Sequence, residues 1–474
     1  MFVRDLVAGV NTLISMNTNG TAGDGFSTDP AISGDGRYAV LFASSAGDLV
    51  PGDNNKDQDV FLRDLQLGTT TLVSVSTNGV DPGNNDSFSP VISSDGWSVL
   101  FHSRASNLAP GITSSGFENL FFRNLETAIT YTLTSAGVYG ASMTPDGHRV
   151  AFIDTAPGTS GTALYVWNSQ TAAFIFTNAV SLYPSSVFPM VSISPDGQKV
   201  AFVAGSPLTL SVADLSANTV TTLNTNGTFA SHAGLQFSAA DRFLIYAAQI
   251  PPNGTQNVYR YDLQSGTNQL ISQDFDFSGA ANGDSDSPVI SGDGHLVAFR
   301  SSAGDIVPDD PNTVPDLFIY DVSNNATILV SVNTSGSSTA NDRSLNPVFS
   351  ADGRTLLFQS WASDLSTNDF NNGCDVYAID LAALPIVTSG SGSSTNSGSV
   401  FFAQYLPAGS FAPNPTISWP LASGDTYHVQ YKNDLSDPAW QDLPANITFI
   451  GDTGYISDPS PPSDKRFYRV LVNR

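Results

Sequence analysis

ISGDGRYAVLFASSAGDLVPGDNNKDQDVFLRDL, residues 32–65, is the stretch whose reading decides the fold. It reads as the end of one strand, a turn on Asp35-Gly36, a second strand RYAVLF, an acidic loop and a third strand DVFLRDL. Asp-Gly accommodates the positive φ that a tight hairpin requires, so the turn has a mechanism behind its composition. The same order returns along most of the chain. Turn tetrads stand at 33–36, 93–96, 144–147, 194–197, 291–294 and 350–353, and a worn copy, Ser238-Ala239-Ala240-Asp241, falls where another is expected.

Each turn leads into an apolar strand (WSVLF, HRVAF, QKVAF, RFLIY, HLVAF, RTLLF) and then a third strand such as NLFFRNL, NVYRYDL or DLFIYDV. A Thr- or Val-rich fourth strand, as in TTTLVSVS, usually follows. Four short antiparallel strands per period of about 40–60 residues predict an all-β fold, a β-propeller of seven blades. No stretch sustains a 3.6-residue apolar period, so helices should be nearly absent. Seven pairs of first and second strands meet eight candidates for a third strand, because FVRDL at 2–6 reads as one too. Either that segment pairs elsewhere or an eighth blade is half present, and seven is the reading adopted.

SPDGQKVAF at 194–202, with SGDGHLVAF and TPDGHRVAF, resembles the PD40 (WD40-like) repeat of TolB-like propellers. The longer form ending LVPGDNNKDQDVFLRDL resembles a PD40 variant of large secreted bacterial proteins. The resemblance spans residues 1–387 and implies an extracytoplasmic protein in the periplasm, at the cell surface or secreted. MFVRDL lacks the charged and apolar regions of a signal peptide, so none is expected in this chain.

Residues 388–399, TSGSGSSTNSGS, read as a Gly/Ser linker. Beyond it, 400–474 is expected to form a small β domain. Tyr427, Val429 and Tyr431 alternate onto one face as in a half-buried strand. The text PTISWP, TYHVQYKNDL, PAWQDL, RFYRVLV resembles a fibronectin type III-like module. Trp440 and Tyr468 are read as core, with sugar stacking as the alternative.

The formal net charge is −25, from 18 Lys+Arg against 43 Asp+Glu. This argues against a nucleic-acid partner, whose binding draws on phosphate neutralisation, and against an anionic membrane surface. No run is long enough to insert in a membrane as a helix. The single cysteine, Cys374, excludes an internal disulfide and a thiolate metal cage. Lying in an acidic loop, it should have a raised pKa and little nucleophilicity.

The loop between second and third strands holds the sharpest constellation. It reads Asp53-x-Asn55-x-Asp57-x-Asp59, then Asp310-x-Asn312-x-x-x-Asp316, then Asp369-x-Asn371-x-x-x-Asp375. Oxygen ligands two residues apart, with a carboxylate at the strand entrance, suit a hard cation such as Ca²⁺. Asp48, Asp305 or Asp364 could add an oxygen. The competing reading is that these side chains cap their own turns, and a repeated turn repeats its cap. Repeats six, seven, one and two carry the long loops, so one arc of one face should be taller and more acidic. The second repeat keeps the length but has Ile112 in place of Asp53. The Asp that closes third strands (Asp5, Asp64, Asp214, Asp262, Asp321, Asp380) reads as a hairpin cap. No histidine pair has zinc spacing, no serine has a histidine evidently placed to activate it, and no glycine-rich loop precedes a helix.

These features favour a non-catalytic binding or scaffold protein that recognises a protein or glycan through the loop-rich face. The alternatives are a polysaccharide lyase or glycosidase with a carboxylate or calcium site near the channel, and a structural subunit that self-associates through its N-terminal strands.

Overall fold

A computed structural model describes the chain except residues 37–38, 113–117, 135–137, 156–160, 181–189, 206–207, 224–228, 230–233, 251–253, 276, 308–309, 311, 313, 335–337, 367–368, 370–372, 382–398, 401–415, 421–425, 433–439, 451–452, 459–466 and 474. It is an all-β, seven-blade propeller followed by a small two-sheet β module. The blades span 27–72, 87–132, 138–180, 191–222, 236–270, 285–329 and 348–380. Each is an antiparallel sheet in chain order, with four strands in the first six blades and three in the described part of the seventh. Contacts between successive blades concentrate on the first strands, which places those strands where the blades converge.

The alternation of apolar residues in second and third strands gives each blade two buried faces. In every blade but the fourth, where Phe202 faces Ser211, one face carries an aromatic pair directly across the ladder. Phe42 and Phe61, Phe101 and Phe121, Phe299 and Phe318, and Phe358 and Tyr377 stack with ring centroids 5.8, 5.6, 5.7 and 5.4 Å apart. In blades 2, 6 and 7 the pair faces the preceding blade: Phe101 and Phe121 pack on Val60 and Leu62, Phe299 and Phe318 lie in a cluster with blade 5, and Phe358 packs on Ala298 and Ile319. Offset stacking across a strand pair adds to area burial. The recurring aromatic pair therefore contributes to the core between successive blades.

The turn between first and second strands differs in detail from a two-residue hairpin. Only the Gly has positive φ: Gly36 +68°, Gly197 +70°, Gly294 +78°. The Asp instead accepts a bond from the Ser or Thr two residues earlier, as in Ser33 Oγ to Asp35 Oδ1 at 2.6 Å and Ser291 Oγ to Asp293 Oδ1 at 2.6 Å. In the worn copy, Asp241 stands where the Gly belongs and is left-handed itself, φ +57°. Asp241→Gly is expected to stabilise the protein by about 0.5–1 kcal/mol, read as a higher urea midpoint, because a Cβ is disfavoured there.

The N-terminal segment pairs elsewhere. Phe2–Asp5 forms a separate hairpin with Val10–Leu13, and no ladder among the described residues joins it to the last blade. Met1, Val3 and Ile14 pack on Phe42 and Phe61, so this hairpin covers the face of blade 1 that its aromatic pair presents. On blade 7, the face turned away from blade 6 leaves Val376 71% exposed.

After residue 398, Ser399–Val400 pairs with Val470 and Leu471, so the expected linker's last residue, Ser399, is in a strand. The sheets are completed by Thr426–Lys432 with Phe467–Asn473 and by Thr416–Pro420 with Thr453–Ser457. Val429 is buried with Tyr427 and Tyr431 packed beside it, and Lys432 Nζ lies 5.3 Å from the Trp440 ring centre. No α-helix occurs among the described residues, and no helix is long and apolar enough to cross a membrane.

Candidate functional site

The long loops between second and third strands share one end of the propeller with the loops that join blade to blade. The two sets are tied by a reciprocal clasp. In blade 1, Asp24 N–H donates to Asp48 Oδ1 at 3.0 Å and Gly47 N–H donates to Asp24 Oδ1 at 2.9 Å. Asn84 with Asn107, Asn282 with Asp305 and Asn341 with Asp364 repeat it in blades 2, 6 and 7, at 2.8–3.1 Å. Asp48, Asp305 and Asp364 thus spend an oxygen on backbone capping, and Asn107 shows that the clasp needs no charge. Asp305→Asn is expected to keep wild-type stability and Asp305→Ala to lose about 1 kcal/mol, measured by urea unfolding.

The strand-closing Asp residues are caps too. Asp5, Asp64, Asp214, Asp262 and Asp321 each accept two successive turn N–H groups through Oδ1.

At the entrance of the third strand a second device recurs. Val60 N–H donates to Ser74 Oγ at 3.0 Å, and Ser74 Oγ–H donates to Asp59 Oδ1 at 2.6 Å. Blade 6 repeats it with Leu317, Ser331 and Asp316 at 2.9 and 2.6 Å. Blade 5 builds it with an amide, Val258, Ser272 and Asn257, at 3.0 and 2.9 Å. Above this clamp an amide or hydroxyl reaches a carbonyl of the next inter-blade loop. Asn55 Nδ2 donates to Gly83 O at 2.7 Å, Asn312 Nδ2 to Ala340 O at 2.9 Å and Thr255 Oγ1 to Ala281 O at 3.2 Å.

Blades 1 and 6 add a second acid to this frame. Asp53 and Asp310 accept the N–H of the Asn two residues on, as a turn cap should. Both are nonetheless buried, as are Asp59 and Asp316, which are wholly inaccessible. Burial, with Asp53 and Asp57 nearby, pushes the Asp59 carboxyl up to about 7. Burial, with Asp310 nearby, does the same to Asp316, to about 7. One oxygen of each pair, Asp53 Oδ1 and Asp316 Oδ2, is buried with no hydrogen-bond partner. Asn55 Nδ2 also donates to Asp59 Oδ2 at 3.1 Å, while the Asp57 N–H caps Asn55 Oδ1 at 3.0 Å. The Asp57 carboxyl is only part-buried and is raised by burial and by Asp86.

Blade 7 departs from this. Asp369 Oδ2 accepts the Tyr377 hydroxyl at 3.3 Å, and burial followed by Asp369 pushes that phenol to about 12. Asp375 is only half-buried. Asn371 lies outside the described residues. Among the described residues, no three His, Cys, Asp or Glu side chains converge.

Three features were not anticipated from the chain alone. Asp29, Ser89 and Ser287 hold left-handed φ of 53, 48 and 51° in first-strand bulges, and Ser89 N–H donates to Asp29 Oδ2 across blades at 3.1 Å. Each precedes a Pro (Pro30, Pro90, Pro288) at a matching place, which was the available signal. Phe26, Phe275, Phe277 and Trp361 are exposed on the clasped loops, and Arg343 lies over Trp361 at 5.4 Å. His295 Nδ1 lies 2.9 Å from Ser323 Oγ; the two are exposed on neighbouring hairpins at the opposite end of the propeller. Cys374 is exposed, and burial followed by Asp375 raises its pKa as expected.

No family model and no curated protein matches the chain. Solved structures do. An oligogalacturonate lyase from Vibrio parahaemolyticus is 15% identical over 80% of this chain and 96% of its own, with TM-score 0.46. The β-propeller domain of the Trilobed protease from Pyrococcus furiosus is 10% identical over 75% and 95%, TM-score 0.45. TolB from Acinetobacter baumannii is 16% identical over 65% and 74%, TM-score 0.34. At such identity and overlap these are likenesses of fold, and they transfer no activity.

Proposed function

We propose that this is a non-catalytic, extracytoplasmic binding protein whose propeller recognises a protein or glycan through the clasped loops of blades 6, 7, 1 and 2. One observation carries the reading: Phe26, Phe275, Phe277 and Trp361 stay exposed on the clasped loops. A large ring left in water loses the burial free energy it would gain in a core, and rings beside carboxylates suit sugar faces and peptide backbones alike. The clasps hold the loops before any ligand arrives, which lowers the ordering cost of binding. The fibronectin type III-like reading of the C-terminal module fits a spacer for such a domain.

Glycan arrays and envelope-protein pull-downs on the whole chain test it. For any ligand found, Phe26→Ser with Phe275→Ser should weaken binding by tenfold or more, on the order of 1.4 kcal/mol. Leu67→Ser at the opposite end should leave it unchanged. Turnover of a bound polysaccharide, or equal affinity in both variants, would overturn the proposal.

A further inference from the structure

We propose that blades 1 and 6 each hold a calcium ion, between Asp53 and Asp59 in blade 1 and between Asp310 and Asp316 in blade 6. The chain contains its own control for this inference. The position paired with the last residue of the second strand is Asp59 in blade 1, Asn119 in blade 2, Thr162 in blade 3, Thr209 in blade 4, Asn257 in blade 5, Asp316 in blade 6 and Asp375 in blade 7. An acid occurs there only in blades whose loop also supplies Asp53, Asp310 or Asp369. Where the loop acid is missing, as at Ile112, the position is a neutral amide or hydroxyl.

The clamp does not require the charge, since Asn257 accepts from Ser272 as Asp59 does from Ser74. A carboxylate in that place gains nothing structural over an amide and adds repulsion against its neighbour. Turn capping explains one oxygen of Asp53 but leaves Asp53 Oδ1 buried and unbonded, and Asp316 Oδ2 likewise. The Ala340 N–H near Asp316 is already given to Ser331 O at 2.9 Å. Two buried like charges with an orphan oxygen, beside a loop carbonyl (Gly83 O or Ala340 O), form an all-oxygen set that a hard cation completes with water. Blade 7 has the residues without the frame, because its Asp375 is half-buried and no fourth-strand Ser is described. The inference is independent of what the clasped loops bind.

The test is a melting series on the whole chain, freed of metal, with CaCl₂ or EDTA as the sole variable and calorimetric titration of Ca²⁺ alongside. Wild type should gain about 2 °C or more in millimolar Ca²⁺, with measurable binding heat, and lose both in EDTA. Asp59→Asn with Asp316→Asn should abolish the gain, and in EDTA at pH 8 this variant should melt no lower than wild type. Asp48→Asn with Asp305→Asn, which alters the clasps and the Asn17 bond to Asp48 but neither acid pair, should keep the gain. No heat and no shift in wild type, an equal shift in the Asp59/Asp316 variant, or a variant less stable than wild type in EDTA would each overturn the proposal.

Discussion

Freed of divalent cations, the protein is expected to lose stability as pH rises from about 4 to 7, the reverse of ordinary acid denaturation. Asp59 and Asp316 each have a folded carboxyl near 7 against an ordinary 3.8. A raised folded pKa means that the native state binds the proton more tightly than the unfolded chain. The resulting stabilisation is complete below the unfolded pKa and is gone once pH passes the folded one. Each acid shifted from 3.8 to about 7 should withdraw on the order of 4 kcal/mol across that window.

The groups facing Asp59 are Asp53, Asp57, Asn55 and Ser74, and those facing Asp316 are Asp310, Asn312 and Ser331. No cation among them offsets the burial. Other carboxylates work in the opposite direction. Asp262, held well below the usual range by Arg242, and Asp214, held down by the Ala217 N–H and Ser216, stabilise above their unfolded pKa and lose that effect only in stronger acid. Stability in EDTA should therefore peak near pH 4–5. Urea unfolding in EDTA at pH 5 and pH 8 checks this. A midpoint that is flat or rises toward pH 8 would refute it, and Asp59→Asn with Asp316→Asn should flatten the profile.

The second large effect is expected in the inter-blade core. Phe318 is wholly buried, stacks on Phe299 at 5.7 Å, and lies in the cluster joining blade 6 to blade 5. Phe318→Ala should cost about 3–5 kcal/mol, the sum of lost transfer energy and the cavity that two rigid sheets cannot close. Val376→Ala, on the exposed face of blade 7, should change stability by less than about 0.5 kcal/mol. Equal losses from the two substitutions would mean that the aromatic pairs are not what holds successive blades together.

Much of this was legible in the chain. The interval from one Ser-x-Asp-Gly tetrad to the next defines the blade, because a turn that needs Gly at left-handed φ leaves few sequence options. Alternation in strands such as RVAFIDT and DLFIYD then assigns the buried faces. The caps at Asp64 and Asp214 were legible for the same reason: they act within three residues of themselves.

The acidic loops were half legible. Asp48 and Asp53 look equivalent in the text, five residues apart in one polar loop. They separate only in three dimensions, where Asp48 caps the Asp24 N–H and Asp53 is covered and left with an orphan oxygen. The loop amides beside the buried acids, Asn55 and Asn312, are fixed by the carbonyls of Gly83 and Ala340, 28 residues downstream. Periodicity says nothing about which carbonyl a neighbouring blade delivers. The path of residues 1–13 was undecidable for a related reason, since FVRDL matches a third strand of any blade and only tertiary packing sets it on Phe42 and Phe61. The sequence by itself determined the all-β propeller and its repeating blade, because local turn and alternation rules are satisfied within one repeat. Only the tertiary structure decided the blade count, which loop acids are clasps, which are buried pairs and where the N-terminus lies, because burial and closure are properties of the neighbouring blade.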